Sequence, residues 1–237
     1  QFANFAIANI EGEIDYNVTN KIASSLTVAV SYLNAATRLK QKDFSVLRAE
    51  VEDLYLRLLE KAEAGSDFQK LWYRRYISLA KSPKHLANLT KILQGELAFD
   101  GMTIDQDKRW TIVAKLNRYE YGNYDAFLKA EQEKDNSDTG VKNAIYAEVV
   151  RPDPAVKEKW FNTVINNPDN LKLSTLRWVM YGLFPSEQRH LEAPYKTRIF
   201  DHIETLNNGS DLSLLGSFAS VMLPTNCTAE SEQELSP

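Results

Sequence analysis

Apolar residues recur along this chain at steps of three and four, and almost every such stretch is bounded by a glycine, a proline or a short polar side chain. Between Phe44 and Leu59 the positions Leu47, Val51, Leu54, Tyr55, Leu58 and Leu59 fall on one helical face, and Gly65 then breaks the run. Ser66 and Asp67 can cap a next helix carrying Leu71, Trp72, Tyr76 and Leu79, because a short oxygen side chain accepts from free first-turn amides. Ser82-Pro83 opens another that Gly95 closes. Asp105 precedes a helix with Trp110, Val113 and Leu116, and Gly122 and Asn123 separate it from the next. After the polar break at Asp135–Asp138 the pattern runs through Ile145 and Val149. Asp153-Pro154 caps a helix with Trp160, Phe161 and Val164 inside, which Pro168 stops. Ser174 starts a short one through Trp178, Pro194 lies near the start of one holding Ile199 and Ile203, and Asp211 caps a last one ahead of Pro224. No alternating stretch competes, and nine Gly and eight Pro in 237 residues, below average usage of about 7% and 5%, leave few turns for a sandwich or barrel.

The expected class is therefore all-α. From residue 44 onward the spacing predicts eight or nine helices of roughly 10 to 16 residues on short loops, which paired approach the HEAT-type period of about 40 to 47. No internal repeat is visible, so the expected architecture is an irregular superhelical stack of antiparallel helix pairs, treated as one domain over 1–237, with 131–138 as its joint. The chain starts on Gln1 and enters at once on an apolar pattern, which reads as a piece of a longer polypeptide.

Charge and composition exclude several functions. With 28 basic against 32 acidic residues the net charge is −4, so no phosphate-neutralising surface is offered and nucleic acid is not an expected partner. No apolar run reaches the roughly 18 residues that span a bilayer, so no membrane segment is expected. The lone Cys227 rules out an internal disulfide and fits a soluble, cytoplasmic setting while leaving the compartment open.

Chemistry-bearing motifs are sparse. His85, His190 and His202 are the only histidines, and none has metal-ligand spacing. There is no nucleophile elbow and no glycine-rich phosphate loop, so no catalytic residue and no cofactor is assigned to this chain. The pairs Glu50 with Glu52 and Glu131 with Glu133 diverge by about 200° around a helix and read as solvated faces. In Trp72-Tyr73-Arg74-Arg75-Tyr76 the aromatic residues Trp72 and Tyr76 suit a core face, with both arginines outside. Arg109-Trp110 with Arg118-Tyr119 and Tyr121 offers guanidinium and phenol groups to an anionic ligand such as a peptide carboxylate.

One family shares this order of residues. The run from Ile92-Leu93-Gln94-Gly95 through Asp105-x-Asp107-x-Arg109-Trp110-Thr111-Ile112 carries the likeness, with Glu131-x-x-x-Asp135, Ser137-Asp138, Arg151-Pro152-Asp153, Lys157, Trp160, Phe184 and Leu223-Pro224-Thr225-Asn226-Cys227-Thr228. From about Leu26 onward the chain resembles the C-terminal helical domain of aminopeptidase N-type zinc peptidases, which include the endoplasmic-reticulum aminopeptidases.

That resemblance implies a bowl of HEAT-like helix pairs covering a zinc-bearing catalytic domain on the same polypeptide, without cutting peptides itself. The family's His-Glu-x-x-His helix and Gly-x-Met-Glu-Asn loop do not occur here, so the zinc is expected in the parent enzyme and the chain alone is expected to be inactive. A curved helical wall excludes bulk water and folded proteins from such a chamber. Arg109, Arg118, Tyr119, Arg177 and Arg198 are the residues expected to contact the distal part of a peptide substrate. The alternative is a free-standing helical-repeat interaction module.

Overall fold

The computed structural model describes residues 1–40, 44–167 and 170–223, and all regular structure among them is helical. The chain divides into two compact units, Gln1–Leu116 and Asn117–Pro237, with the boundary inside a helix.

The first unit holds α1 (Phe2–Asn9), α2 (Tyr16–Lys40), α3 (Ser45–Lys61), α4 (Asp67–Leu79), α5 (Pro83–Gln94) and most of α6 (Gln106–Arg118). A short connection returns α4 onto α3, and both pack with their apolar stripes inward. Val51, Leu54, Tyr55 and Leu59 of α3 and Leu71, Trp72, Tyr76 and Ile77 of α4 are buried, and the Tyr55 and Trp72 rings lie 5.7 Å apart. The Tyr55 hydroxyl donates to the Ala23 carbonyl of α2 at 2.8 Å, so this buried phenol has a partner for its polar end. The capping residues act as their chemistry predicts: Ser66 accepts from Gln69 N–H, Pro83 occupies the first turn of α5, and Gly95 ends α5 at φ 81°. Arg74 is exposed and reaches the Tyr16 hydroxyl, and Arg75 bonds Asn20, while Trp72 and Tyr76 are in the core.

The second unit holds the end of α6, then α7 (Tyr124–Lys134), α8 (Asp138–Val149), α9 (Pro154–Asn166), α10 (Leu173–Leu183), α11 (Lys196–Asn207) and α12 (Leu212–Met222), with short 3-10 turns between α10 and α11. Ser137, Asp153 and Asp211 cap α8, α9 and α12 by accepting from Gly140, Ala155 and Leu214 amides. One apolar cluster joins α8 through α12, built from residues such as Val149, Phe161, Val179, Leu183, Ile199 and Phe218.

Several expectations are corrected. Ten α-helices lie beyond residue 44 among the described residues, rather than eight or nine, and α1 and α2 precede them. α10 does not stop near Trp178 but runs to Leu183, because Val179, Met180 and Leu183 continue its buried stripe. α9 ends at Asn166, just ahead of Pro168 as expected: Asn167 turns left-handed at φ 39° and its side chain bonds both backbone groups of Leu171. Pro168 and the segment from Pro224 through Cys227 lie outside the described residues. Of the carboxylate pairs, Glu50 and Glu133 are exposed as expected, but Glu52 and Glu131 are buried.

Candidate functional site

Lys157 on α9 is fully buried in the second unit, an unusual place for an ammonium group. Its Nζ donates to the Val149 carbonyl at 2.6 Å and the Gly182 carbonyl at 3.3 Å. These oxygens lie at the C-terminal ends of α8 and α10, where helix carbonyls lack intrahelical donors and carry partial negative charge. Burial pushes the Lys157 amine down to about 7; the positive Arg118 adds to this and Glu187 opposes it. Next to it the buried Gln188 donates through Nε2 to the carbonyls of Val150, at 2.8 Å, and Arg118, at 3.3 Å. Two side chains thus satisfy the ends of three helices.

This network uses one of the expected peptide-contact residues. Arg118 places Nε 3.3 Å from Glu187 and Nη2 3.4 Å from the Tyr146 hydroxyl. Arg198 spans both Glu158 oxygens at 3.0 Å, bonds Asn162 at 2.6 Å, and lies 4.6 Å over the Phe161 ring. Arg109, in the first unit, donates to the Leu93 carbonyl at 2.9 Å and holds the last turn of α5. Tyr119 is half-buried. Arg177 differs from these: it is exposed on α10, its Nε donates to Ser217 Oγ at 2.9 Å, and it lines a groove between α10 and α12. The groove has two lobes of about 390 Å³ each, which share Tyr181, Ser220 and Val221.

A second concentration of buried titratable groups lies in the first unit. Glu52 of α3 accepts from the Lys81 and Ser82 amides at 2.6 and 3.1 Å, so it caps α5 from another helix. His85 of α5 sits beside it, with Nδ1 3.0 Å from the Tyr76 hydroxyl and Nε2 3.1 Å from Asp53 and 3.9 Å from Glu52. Sequence reasoning missed this cluster because its members are about 30 residues apart; only the caps and burial around Ser82 hinted at it. Burial holds the His85 imidazole below its ordinary value of 6.5, with Glu52 and Asp53 opposing the shift and Lys84 adding to it. The unfolded chain then binds the proton first as pH falls, so stability present above about 6.5 is lost through the lower folded value. Urea midpoints of the native chain are expected to fall on acidification below that pH more steeply than those of His85→Gln. Both share the slope contributed by His202, whose imidazole burial also holds below its ordinary value. Parallel profiles for the two proteins refute this assignment.

Among the described residues no group of three or more His, Cys, Asp or Glu is arranged to hold a metal ion, and no helix is long and apolar enough to cross a membrane. A family model described as ERAP1-like C-terminal domain matches residues 1–236. A curated relative, Aminopeptidase N of Streptomyces lividans, is 28% identical over 199 residues, which is 84% of this chain and 22% of the relative. The chain thus spans about a fifth of the length of that relative.

Proposed function

Because this chain belongs to the ERAP1-like C-terminal domain family, we propose that it serves as the non-catalytic C-terminal domain of a zinc aminopeptidase, enclosing the active-site chamber and contacting the distal part of peptide substrates. The match over residues 1–236 is the observation that carries this reading. In this reading the zinc is held by a catalytic domain elsewhere on the same polypeptide, and the described side chains of this chain form no group suited to it. What this chain contributes is a wall: packed helices exclude water, and groups on their surface hold the part of the peptide remote from the cleaved bond. Arg177 supports the second role, since its guanidinium borders an open groove.

The purified chain, dialysed against zinc and then buffer, is expected to retain no stoichiometric metal and to hydrolyse no aminoacyl reporter. A decapeptide with a photoreactive residue near its C-terminus is expected to crosslink to it. One zinc per chain with chelator-sensitive turnover would overturn the non-catalytic reading, and failure of any long peptide to crosslink would overturn the peptide-contacting one.

A further inference from the structure

We propose that the groove between α10 and α12 binds the acidic stretch of an extended peptide, with Arg177 as the receptor for a carboxylate. This rests on the peptide-contacting reading above and names the place and the chemistry. Ser217 Oγ accepts from Arg177 Nε while donating to the Ser213 carbonyl, so the guanidinium is held in one orientation from the α12 side. Among the described residues neither Nη of Arg177 has a partner, which leaves the forked edge suited to a carboxylate open to the groove.

The surroundings select for a negative and extended occupant. Neither lobe is lined by a single Asp or Glu, on a chain whose net charge is −4. Arg189 borders the second lobe but its Nη1 is engaged by Glu192 at 2.7 Å, so among the described residues lining the groove Arg177 carries the charge not paired with a carboxylate. One free cation is too little for a nucleic-acid backbone, which demands a row of them. The floor along α12 is small and hydroxyl-rich, and a Cβ added at Gly216 would meet nothing within 4 Å, which leaves room for a backbone to approach. Tyr181 is 62% exposed between the lobes and Leu212 is 73% exposed at the end of the first, so apolar contact is available beside the charge. Two adjoining lobes on either side of Tyr181 suit successive same-side residues of an extended chain rather than a single small anion.

The probe is a fluorescein-labelled octapeptide alternating Glu and Leu, titrated by anisotropy into the 237-residue chain against the same peptide with Gln for every Glu. Tighter binding of the Glu peptide is expected, weakened about tenfold or more by Arg177→Gln, as losing a charge-assisted contact predicts. Gly216→Leu, whose Cβ would meet nothing within 4 Å and whose side chain would project into the groove, is expected to abolish binding while the thermal melt does not fall, since Leu is the better helix former. Lys129→Gln, an exposed cation of α7 away from the groove lining, serves as the control that leaves binding intact. Equal affinity for the two peptides overturns the proposal, as does binding unaffected by both groove variants; in that last case peptide contact elsewhere on the domain survives. Binding that appears only after residues 224–237 are removed makes the chain's own terminal segment the occupant and overturns it. So does a dimer in sedimentation that Gly216→Leu dissociates.

Discussion

Raising the pH from about 7 to 9.5 is expected to stabilise the chain by about 3 kcal/mol through one side chain, Lys157. The amine is held down to about 7 by burial, against an ordinary value of 10.5. Between those values the unfolded chain binds the proton that the folded chain has released, so stability rises with pH across the interval and is level below it. Carbonyls of Val149 and Gly182 receive hydrogen bonds from the neutral amine as well as from the ammonium, so the contact itself survives deprotonation. The upper end of the readable window is set by the tyrosines. Burial pushes Tyr55 up to about 12 and raises Tyr73 and Tyr76 as well. Above about 10 the unfolded phenols lose protons that the folded ones keep, which reverses the slope. Lys157→Met keeps most of the stem volume and removes the titrating group, so its urea-derived stability is expected to be flat over the interval. An equal slope in both proteins removes Lys157 from this role.

The fold was largely legible because its determinants are local. Ser66, Asp153 and Asp211 bond amides two or three residues away, and the three-and-four spacing of Val51, Leu54, Tyr55 and Leu58 already marks a buried stripe. Glu52 and Lys157 were not legible as buried groups. Each looks like an ordinary charged helix residue until the chain brings its partners back: the amides of Lys81 and Ser82 for Glu52, the ends of α8 and α10 for Lys157. Nothing in local periodicity reports a partner that is a backbone group of another helix.

The same limit governs the site. Arg118, Arg177 and Arg198 are equivalent in sequence, each a cation near an aromatic residue on a helix. Glu187 sits 69 positions from Arg118 and Glu158 forty from Arg198, and those carboxylates engage the two guanidiniums within the fold. Among the described residues Arg177 is bonded by a serine, across the same kind of sequence distance, and its forked edge borders the groove. Which cation stays available is a property of the packed helices, whereas the presence of cations is a property of the sequence.

Gly101→Ala is expected to destabilise the first unit by about 3 kcal/mol, the sum of two separable effects. The first is conformational: Gly101 sits at φ 75°, where a Cβ crowds the following carbonyl at a cost of about 1 kcal/mol. The second is a close approach between two loops. A Cβ there would lie 2.4 Å from Gly65 N and 2.7 Å from the Ala64 carbonyl carbon, both backbone atoms that cannot swing aside. The loops are further tied by the buried Gln69, whose Nε2 donates to the Asp100 carbonyl and whose Oε1 accepts from Gly65 N–H, each at 2.8 Å. Parting them breaks that bridge and loosens Phe99, which is buried beside it in sequence. Gly95→Ala separates the two effects, because Gly95 has nearly the same φ of 81° and nothing within 4 Å of the added Cβ. It is expected to lose only about 1 kcal/mol. Urea unfolding of both variants reads the difference directly, and a Gly101→Ala protein no weaker than Gly95→Ala shows that the two loops do not meet as closely as their backbone atoms are placed.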